Sequence, residues 1–427
     1  MTTAAERATP DVRAVQRRTL AVLIVAQVIG TVGVGVAPSI GILLASEVTG
    51  DEAMAGLART ASTLGAALFG LPLGTLAAQR GRRVALTLGW LLAAVGSALL
   101  VAAAQWSLVV PLFIGLLLIG AGSAVALQAR FAATDLAEPH HKARSLALVV
   151  WVGTLGSVLG PNLGLPGEIV GAATGLTVFA SAFLIATVCL ALAGVVVFVW
   201  LRPDPLLLLE QMPPAADRSG KSTTRGATPS SGKRPGRIRL VLAELRTNRR
   251  ARTATITILT AQAVMVAVMT MTPVHLAHHG DSVNVIGLTI SLHVVGMFAL
   301  APVVGALTDR FGHRATITIG IAIFVVSLVI GALWPDDTRW IIASLILLGV
   351  GWSFMNVAGS ALFSTSVSDQ MRAASQGGVD ALSNLFGAAA ALLAGPIMVA
   401  TNFSVLSVLS MVVLVPVAVL VLGRSHF

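Results

Sequence analysis

The chain has 427 residues, of which 56% are apolar and only 11% are charged, whereas a soluble protein carries about 25% charged residues. This composition excludes a soluble globular domain, and apolar runs of about 20 residues recur, long enough for the roughly 30 Å core of a bilayer. The net charge of +10 comes without a nucleic-acid-binding motif or interleaved aromatic residues, so we expect no nucleic-acid partner. We predict an all-α membrane protein embedded in a lipid bilayer.

Twelve apolar segments follow one another along the chain in two groups of six. The predicted organisation is an N-terminal tail at 1–19, a six-helix bundle at 20–201, a linker at 202–252 and a second six-helix bundle at 253–427. The linker is rich in Pro, Ser and basic residues, which is typical of a flexible connection, with a short amphipathic helix near 237–247. The twelve predicted spans are 20–45, 54–78, 84–104, 108–129, 144–164, 175–201, 253–277, 284–308, 315–334, 340–363, 373–399 and 404–423.

The charged residues of the loops predict the orientation of these spans. Nearly all of the 28 Lys and Arg residues fall on one side of the twelve-span arrangement, while the other side carries mostly acids. The positive-inside rule therefore places both termini and the linker in the cytoplasm. We expect a multi-pass protein of the plasma (inner) membrane without a removable signal peptide. The single cysteine, Cys189, excludes an internal disulfide.

A pattern of glycines occurs twice in the chain, with the second copy 231 positions after the first. Such a repeat inside apolar sequence indicates two copies of one structural unit. Both copies end in a short basic turn. The first copy is Gly56, Gly65, Gly74, Gly81, Arg83 and Gly89, and the second is Gly287, Gly296, Gly305, Gly312, Arg314 and Gly320.

The two turns, at 74–83 and 305–314, resemble the signature loop G-x-L-a-D-r-x-G-r-r of the major facilitator superfamily of secondary transporters. Span five contains Gly156, Gly160, Pro161 and Gly164, which is similar to the Gly-Pro motif of the drug:proton antiporters of that superfamily. Pro161 is expected to kink this span, and the glycines offer a flat stripe to a partner helix. The resemblance covers essentially the whole chain and implies two six-helix bundles that work by alternating access.

In this superfamily the two loops latch the halves of the transporter together on the cytoplasmic side. The resemblance implies that Arg82 or Arg83 pairs with Asp135. The first loop has Ala78 and Gln79 where the pattern has an acid and a basic residue, so we expect a weaker latch there and a resting state shifted toward inward-open. The alternative is that the basic residues only anchor the topology. The implied latch residues are Gly74, Gly81, Arg82, Arg83, Asp135, Gly305, Asp309, Arg310, Gly312 and Arg314.

Ionisable residues inside the predicted spans are candidates for function, because charge in a membrane is costly and usually faces a cavity or a partner. Asp380 is the preferred proton carrier, with His293 as the other candidate, and Arg59 is a hook for an anion. The plainer alternatives are that Arg59 extends its charge to the membrane surface and that Asp380 caps its helix. Further candidates for the lining of a cavity are Gln27, Gln262, Asn356 and Asn384, with Trp151 and Trp352 as stacking surfaces.

The cluster His275, His278, His279 and Asp281 lies at the outer end of span seven. No cysteine joins it, so we expect a solvated loop near the outer gate and no metal site. The chain also lacks a phosphate-binding loop, a nucleophile elbow and paired catalytic carboxylates, and we expect neither an enzyme nor a cofactor.

The sparse polar set favours amphipathic or hydrophobic small molecules over sugars. The predicted function is proton-coupled export of such molecules by a protein that works as a monomer. The alternatives are an importer or lipid-moving member of the same superfamily and, from a different class, a membrane sensor or scaffold that does not transport. An arginine in span four of many drug:proton antiporters is matched here by Leu116, so the proton must be carried elsewhere.

Overall fold

The computed structural model describes residues 12–138, 141–212, 248–367 and 369–423, without the side chains of 142–143 and 369–377. Every regular element within these ranges is a helix. The N-terminal half, residues 12–212, contains α1 Val12–Gly35, α2 Ile42–Thr49, α3 Ala53–Arg80, α4 Arg82–Trp106, α5 Val109–Ala132, α6 Lys142–Leu159, α7 Gly164–Thr174, α8 Val178–Trp200 and α9 Pro205–Gln211. The C-terminal half, residues 248–423, contains α10 Arg249–His278, α11 Val283–Phe298, α12 Ala301–Leu333, α13 Thr338–Ser366, α14 Asp369–Ala400 and α15 Phe403–Leu422.

Eleven helical segments within the described ranges are long and apolar enough to cross a membrane. One of them, Val283–Leu333, has 51 residues. At 1.5 Å per residue it extends about 75 Å, which is more than twice the thickness of the hydrocarbon core. Its helix is interrupted at Gly312, where φ is 83° and ψ is 160°. This segment is therefore long enough to cross twice, down to the basic turn and back.

The start of α1 and the end of α6 differ from the predicted spans. Helix α1 begins at Val12 instead of 20, because Arg13 pairs with Glu138 at 2.9 Å and Gln16 donates to the Ala133 carbonyl at 2.8 Å. Helix α6 ends at Leu159, a short 3₁₀ turn with Pro161 follows, and α7 occupies residues predicted as a loop. The linker helix predicted near 237–247 lies outside the described residues.

The helices alternate between two ends of the molecule. One end, here called the basic face, carries the turns at Arg80–Arg83 and Arg310–Arg314 and the start of α10. The opposite end, called the acidic face, carries Glu52, Asp281 and Asp336. Apolar side chains fill the space between the helices as one continuous core cluster in the C-terminal half and two clusters in the N-terminal half. Ile42, Leu43 and Ala55 of the N-terminal half belong to the cluster of the C-terminal half, so the halves share a core near the acidic face.

The repeated glycines have matching roles in the two halves. Gly65 lies against the Leu117 carbonyl of α5, and Gly296 lies against the Ile346 carbonyl of α13. Small residues allow such close approach of helix backbones within a membrane. Gly81 and Gly312 form the basic turns with φ of 87° and 83°, a region that favours glycine because other residues meet a steric penalty there. The sequence repeat therefore corresponds to a structural repeat.

Candidate functional site

The two halves pack tightly against each other at the acidic face. On α3, Gly56 lies so close to the carbonyl oxygen of Ala391 on α14 that a methyl group would overlap it. One turn further, the Thr60 hydroxyl donates to the Ala388 carbonyl at 3.0 Å. Helices α3 and α14 therefore touch through their backbones at this end.

A second contact closes the acidic face between α11 and the turn after α6. The Asn162 amide donates to the Ser291 hydroxyl, and that hydroxyl donates to the Val158 carbonyl, both at 2.6 Å. Gly287 lies directly against the carbonyl of Pro161. At the rim, the His278 ring lies 2.7 Å from the Glu52 carboxylate of the other half. The two halves are therefore in direct contact at two places near the acidic face.

The helices that touch at the acidic face separate toward the basic face. Gly74 lies five turns after Gly56 and on the same side of α3, yet its nearest neighbour is Gln128 of its own half, 3.9 Å from the position of a Cβ atom. At Gly305, which matches Gly74 in the repeat, a Cβ atom would have no described neighbour within 4 Å. Leu71 on the exposed part of α3 is 67% accessible. A cleft between the halves therefore opens at the basic face.

One ion pair crosses this cleft. Arg130 in the last turn of α5 lies 3.7 Å from the carboxylate of Asp380 on α14. Asp380 is eight residues before Ala388, so it lies on α14 below the closed contact. Its side chain is 61% accessible, compared with 26% for Arg130. The structure thus gives Asp380 a partner, Arg130, that was not among the candidate residues predicted from the sequence.

Several other candidate side chains meet on the C-terminal half. The Trp352 indole on α13 donates to the Gln262 side chain on α10 at 3.0 Å, and Gly387 of α14 lies against Gln262. Asn384, one turn before Gly387, is partly exposed. Asn356 lies one turn after Trp352 and accepts a hydrogen bond from Ser360 at 3.2 Å. Trp151, the other predicted stacking surface, is 57% accessible on α6.

Three candidates lie deeper in the protein. Arg59 has no carboxylate partner among the described residues and lies within electrostatic range of His293 on α11. His293 is fully buried, its Nδ1 atom lies 2.8 Å from the Leu345 carbonyl, and its Nε2 atom has no partner among the described residues. Gln27 is buried inside the N-terminal half, where it donates to the Ala126 carbonyl at 3.4 Å. Of the ionisable candidates, only Asp380 is broadly exposed to the cleft.

The first basic turn is held by two carboxylates. Arg82 makes a two-bonded ion pair with Asp135, with distances of 2.8 Å and 3.2 Å. Arg83 instead places its guanidinium over the Phe198 ring at 4.8 Å. Asp204 accepts a hydrogen bond from the Arg83 amide at 2.8 Å and also caps α9. An acidic cap is therefore present at this turn, although the first loop has Ala78 where the superfamily pattern has an acid.

Asp204 falls within the predicted linker at 202–252, where no functional residue was expected. The following Pro205 could have indicated its role, because Asp before Pro is a common start of a helix. The second basic turn is held differently, since Arg314 donates to the Leu422 carbonyl at the end of α15 at 2.7 Å. Asp309 and Arg310 are exposed and make no hydrogen bond or ion pair with a described residue.

The Gly-Pro motif places α6 against α1 and α11. Gly156 lies against Thr31 and the Val28 carbonyl, and Gly160 lies against Gly35, all on α1. Gly164 lies against Asn284 of α11 in the other half. The stripe therefore faces two partner helices instead of one.

The histidine cluster differs from the predicted solvated loop. His275 is buried, its ring stacks on Phe403 at 4.4 Å, and its Nε2 atom lies 2.7 Å from the Pro335 carbonyl. The His275 carbonyl and the Asp336 carboxylate raise the pKa of His279 above its ordinary value, because each accepts a hydrogen bond from the protonated ring. The cluster borders an open cavity of about 690 Å³ at the acidic face. Among the described residues, no three His, Cys, Asp or Glu side chains are arranged to hold a metal.

The helical fold and the cleft between its halves form the architecture of a membrane transporter. The family model for the Major Facilitator Superfamily matches residues 22–283 and 253–426. The chain belongs to this superfamily.

Similar proteins and structures agree with this assignment. The MFS-type transporter YdeG of Bacillus subtilis is 35% identical over 417 residues, which cover 96% of this chain and 94% of the relative. The riboflavin transporter RfnT of Brucella anthropi is 28% identical over 386 residues, covering 90% of this chain and 89% of the relative. Among solved structures, a bacterial homologue of the human lysosomal transporter Spinster, in an inward-facing and occupied conformation, has a TM-score of 0.69 at 14% identity, with 97% of both chains covered. The nucleoside transporter NupG has a TM-score of 0.63 at 16% identity, covering 95% of this chain and 97% of its own.

Proposed function

We propose that the protein is a secondary transporter that works by alternating access, with twelve spans in two six-helix bundles at 20–201 and 253–427. The linker at 202–252 joins them, and the basic face is cytoplasmic, following the positive-inside rule. The observation that carries the proposal is the opposite packing of the two ends of α3. Gly56 touches the other half, whereas Gly74 on the same side of the helix does not. One closed end and one open end are expected when the two halves rock around a central binding site.

The proposed transport is export of amphipathic or hydrophobic small molecules, coupled to protons. The sparse set of polar candidate side chains supports this choice, together with the exposed apolar side chain of Leu71 one turn before Gly74 on α3. The related proteins named for riboflavin and nucleosides fit the same class, since both compounds join an aromatic ring system to a polar part. In this proposal Asp380 takes up the proton, and its partner Arg130 is released when Asp380 becomes neutral.

The test of this proposal uses purified protein in sealed proteoliposomes with an imposed pH gradient. The probes are a panel of amphipathic fluorescent dyes together with riboflavin. We expect saturable, gradient-dependent flux of at least one probe. Asp380→Asn should lose about a hundredfold or more of this flux, because a positioned proton-transfer group contributes about 10²–10⁴-fold. Glu210→Gln on α9 is the matched control, because Glu210 is exposed outside the cleft, and its flux should equal that of the wild type.

Two results would contradict parts of the proposal. Retention of pH-driven flux in Asp380→Asn would remove Asp380 from the coupling mechanism. Saturable binding without flux of any probe would favour a membrane sensor that binds a ligand without moving it.

A further inference from the structure

The two basic turns share a backbone conformation but differ in their acids. In the first turn, Asp204 lies against Gly81 and accepts a hydrogen bond from the Arg83 amide, while Asp135 pairs with Arg82. Two carboxylates therefore balance the positive charge at the start of α4. The start of a helix also favours negative charge, because its first amides lack partners within the helix.

The position of the second half that matches Asp135 carries no acid. His313 stands where the first turn has Arg82, and Ser366 stands where it has Asp135, each 231 positions later. A Cβ atom at Gly312 would have no described neighbour within 4 Å, whereas a Cβ atom at Gly81 would meet the Asp204 carboxylate. No described side chain accepts a hydrogen bond from the Arg314 amide. Within the described residues, the second turn thus has the backbone conformation of the first without its two carboxylates.

The positive charge at the second turn has no acidic partner among the described residues. Arg250 at the start of α10, His313 and Arg314 make no ion pair with a described carboxylate. Arg250 is exposed, and Arg314 uses one nitrogen for the Leu422 carbonyl. These three residues border a cavity of about 260 Å³ at the basic face. Its lining consists of Arg250, Gly312, His313, Arg314, Leu362 and Thr365.

We propose that this cavity binds a phosphate group, which takes the place that Asp204 occupies in the first turn. The backbone after Gly312 begins a new helix, and phosphate binds readily at such a start. Arg250 and Arg314 supply charge-assisted hydrogen bonds to its oxygens. The cavity lies at the end of the membrane-spanning helices, so the phosphate comes from a lipid headgroup or from a soluble phosphate. The proposal does not depend on the transport proposed above.

The test measures binding to the full-length protein in an uncharged detergent, by the rise of the thermal unfolding midpoint with ligand concentration. The probes are inorganic phosphate, dioctanoyl phosphatidylglycerol and dioctanoylglycerol, which has the same chains without phosphate. Binding of a phosphate-bearing probe should weaken about tenfold in Arg250→Gln, the loss expected for one charged hydrogen bond. Arg249→Gln is the matched control, because Arg249 is exposed beside Arg250 but does not line the cavity.

A second variant protects the test if Arg250→Gln folds poorly. Ser366→Asp places a carboxylate at the position that matches Asp135. This carboxylate would compete with phosphate for the basic side chains of the cavity, so it should also weaken binding. Binding of phosphatidylglycerol alone assigns the site to lipid, and binding of inorganic phosphate with similar affinity assigns it to soluble phosphate. The proposal is overturned if neither phosphate-bearing probe binds, if dioctanoylglycerol binds equally well, or if both variants bind like Arg249→Gln.

Discussion

Replacing Gly56 with valine is expected to open the acidic face and to reduce transport. The new side chain would meet the Ala391 carbonyl, and a backbone atom cannot move aside as a flexible side chain can. Overpacking of this kind costs about 1–3 kcal/mol, which shifts the balance between the two conformations about 5- to 150-fold. The shift is measured as the distance between spin labels at Asp51 and Asn402, which are exposed residues of opposite halves at the acidic face. The labels are placed after Cys189→Ser has removed the only native cysteine.

Gly74→Val is the matched control for this prediction. It makes the same change on the same side of α3, but a Cβ atom there has no neighbour closer than 3.9 Å. The label distance at the acidic face should therefore stay as short as in the protein without either substitution. Equal distance distributions for Gly56→Val and Gly74→Val would contradict the assignment of the closed contact.

Replacing Asp135 with alanine is expected to lower the free energy of unfolding by about 3 kcal/mol, because a broken buried ion pair leaves a charge without compensation. The side chains of Arg82 and Asp135 are only 16% and 10% accessible. The thermal unfolding midpoint and the denaturant midpoint in detergent both report this loss.

Glu138→Ala is the control for the Asp135 prediction. Glu138 pairs with Arg13, whose side chain is 80% accessible, and such surface pairs contribute about 0–1 kcal/mol. A destabilisation of Glu138→Ala as large as that of Asp135→Ala would show that burial of the Arg82 pair does not set its strength.

The membrane class, the helical fold and the superfamily could be predicted from the sequence, and the family match confirms the superfamily. Long apolar runs have few structural solutions in a bilayer, since every backbone amide needs a partner within its own helix. The glycine repeat also predicted two copies of one structural unit, and its glycines make matching helix contacts, as at Gly65 and Gly296. Span ends were less predictable, because polar residues such as Arg13 extend a helix by contacts with distant loops.

The candidate site was predicted less well, because its contacts join residues far apart in the chain. Asp204 caps a helix that begins 122 positions earlier, at Arg82, and no local pattern connects the two. The partner of Asp380 depends on how the halves are placed, so Arg130 could not be chosen from its position at the end of α5. His275 was expected to be solvated together with its cluster at the outer end of span seven, but Phe403 and the Pro335 carbonyl cover it.

A reversible cross-link at the acidic face tests alternating access most directly. Asp51 and Asn402 are exposed residues of opposite halves that line the same open cavity at the acidic face, so a bifunctional thiol reagent can join cysteines placed there without overpacking the contact. The experiment uses Asp51→Cys with Asn402→Cys in the Cys189→Ser background and a short bis-methanethiosulfonate reagent, and each single cysteine serves as a control. The cross-link should abolish flux in the double variant, and its reduction should restore flux, because the acidic face must open in every cycle. Undiminished flux with the cross-link complete would contradict transport by alternating access through this face.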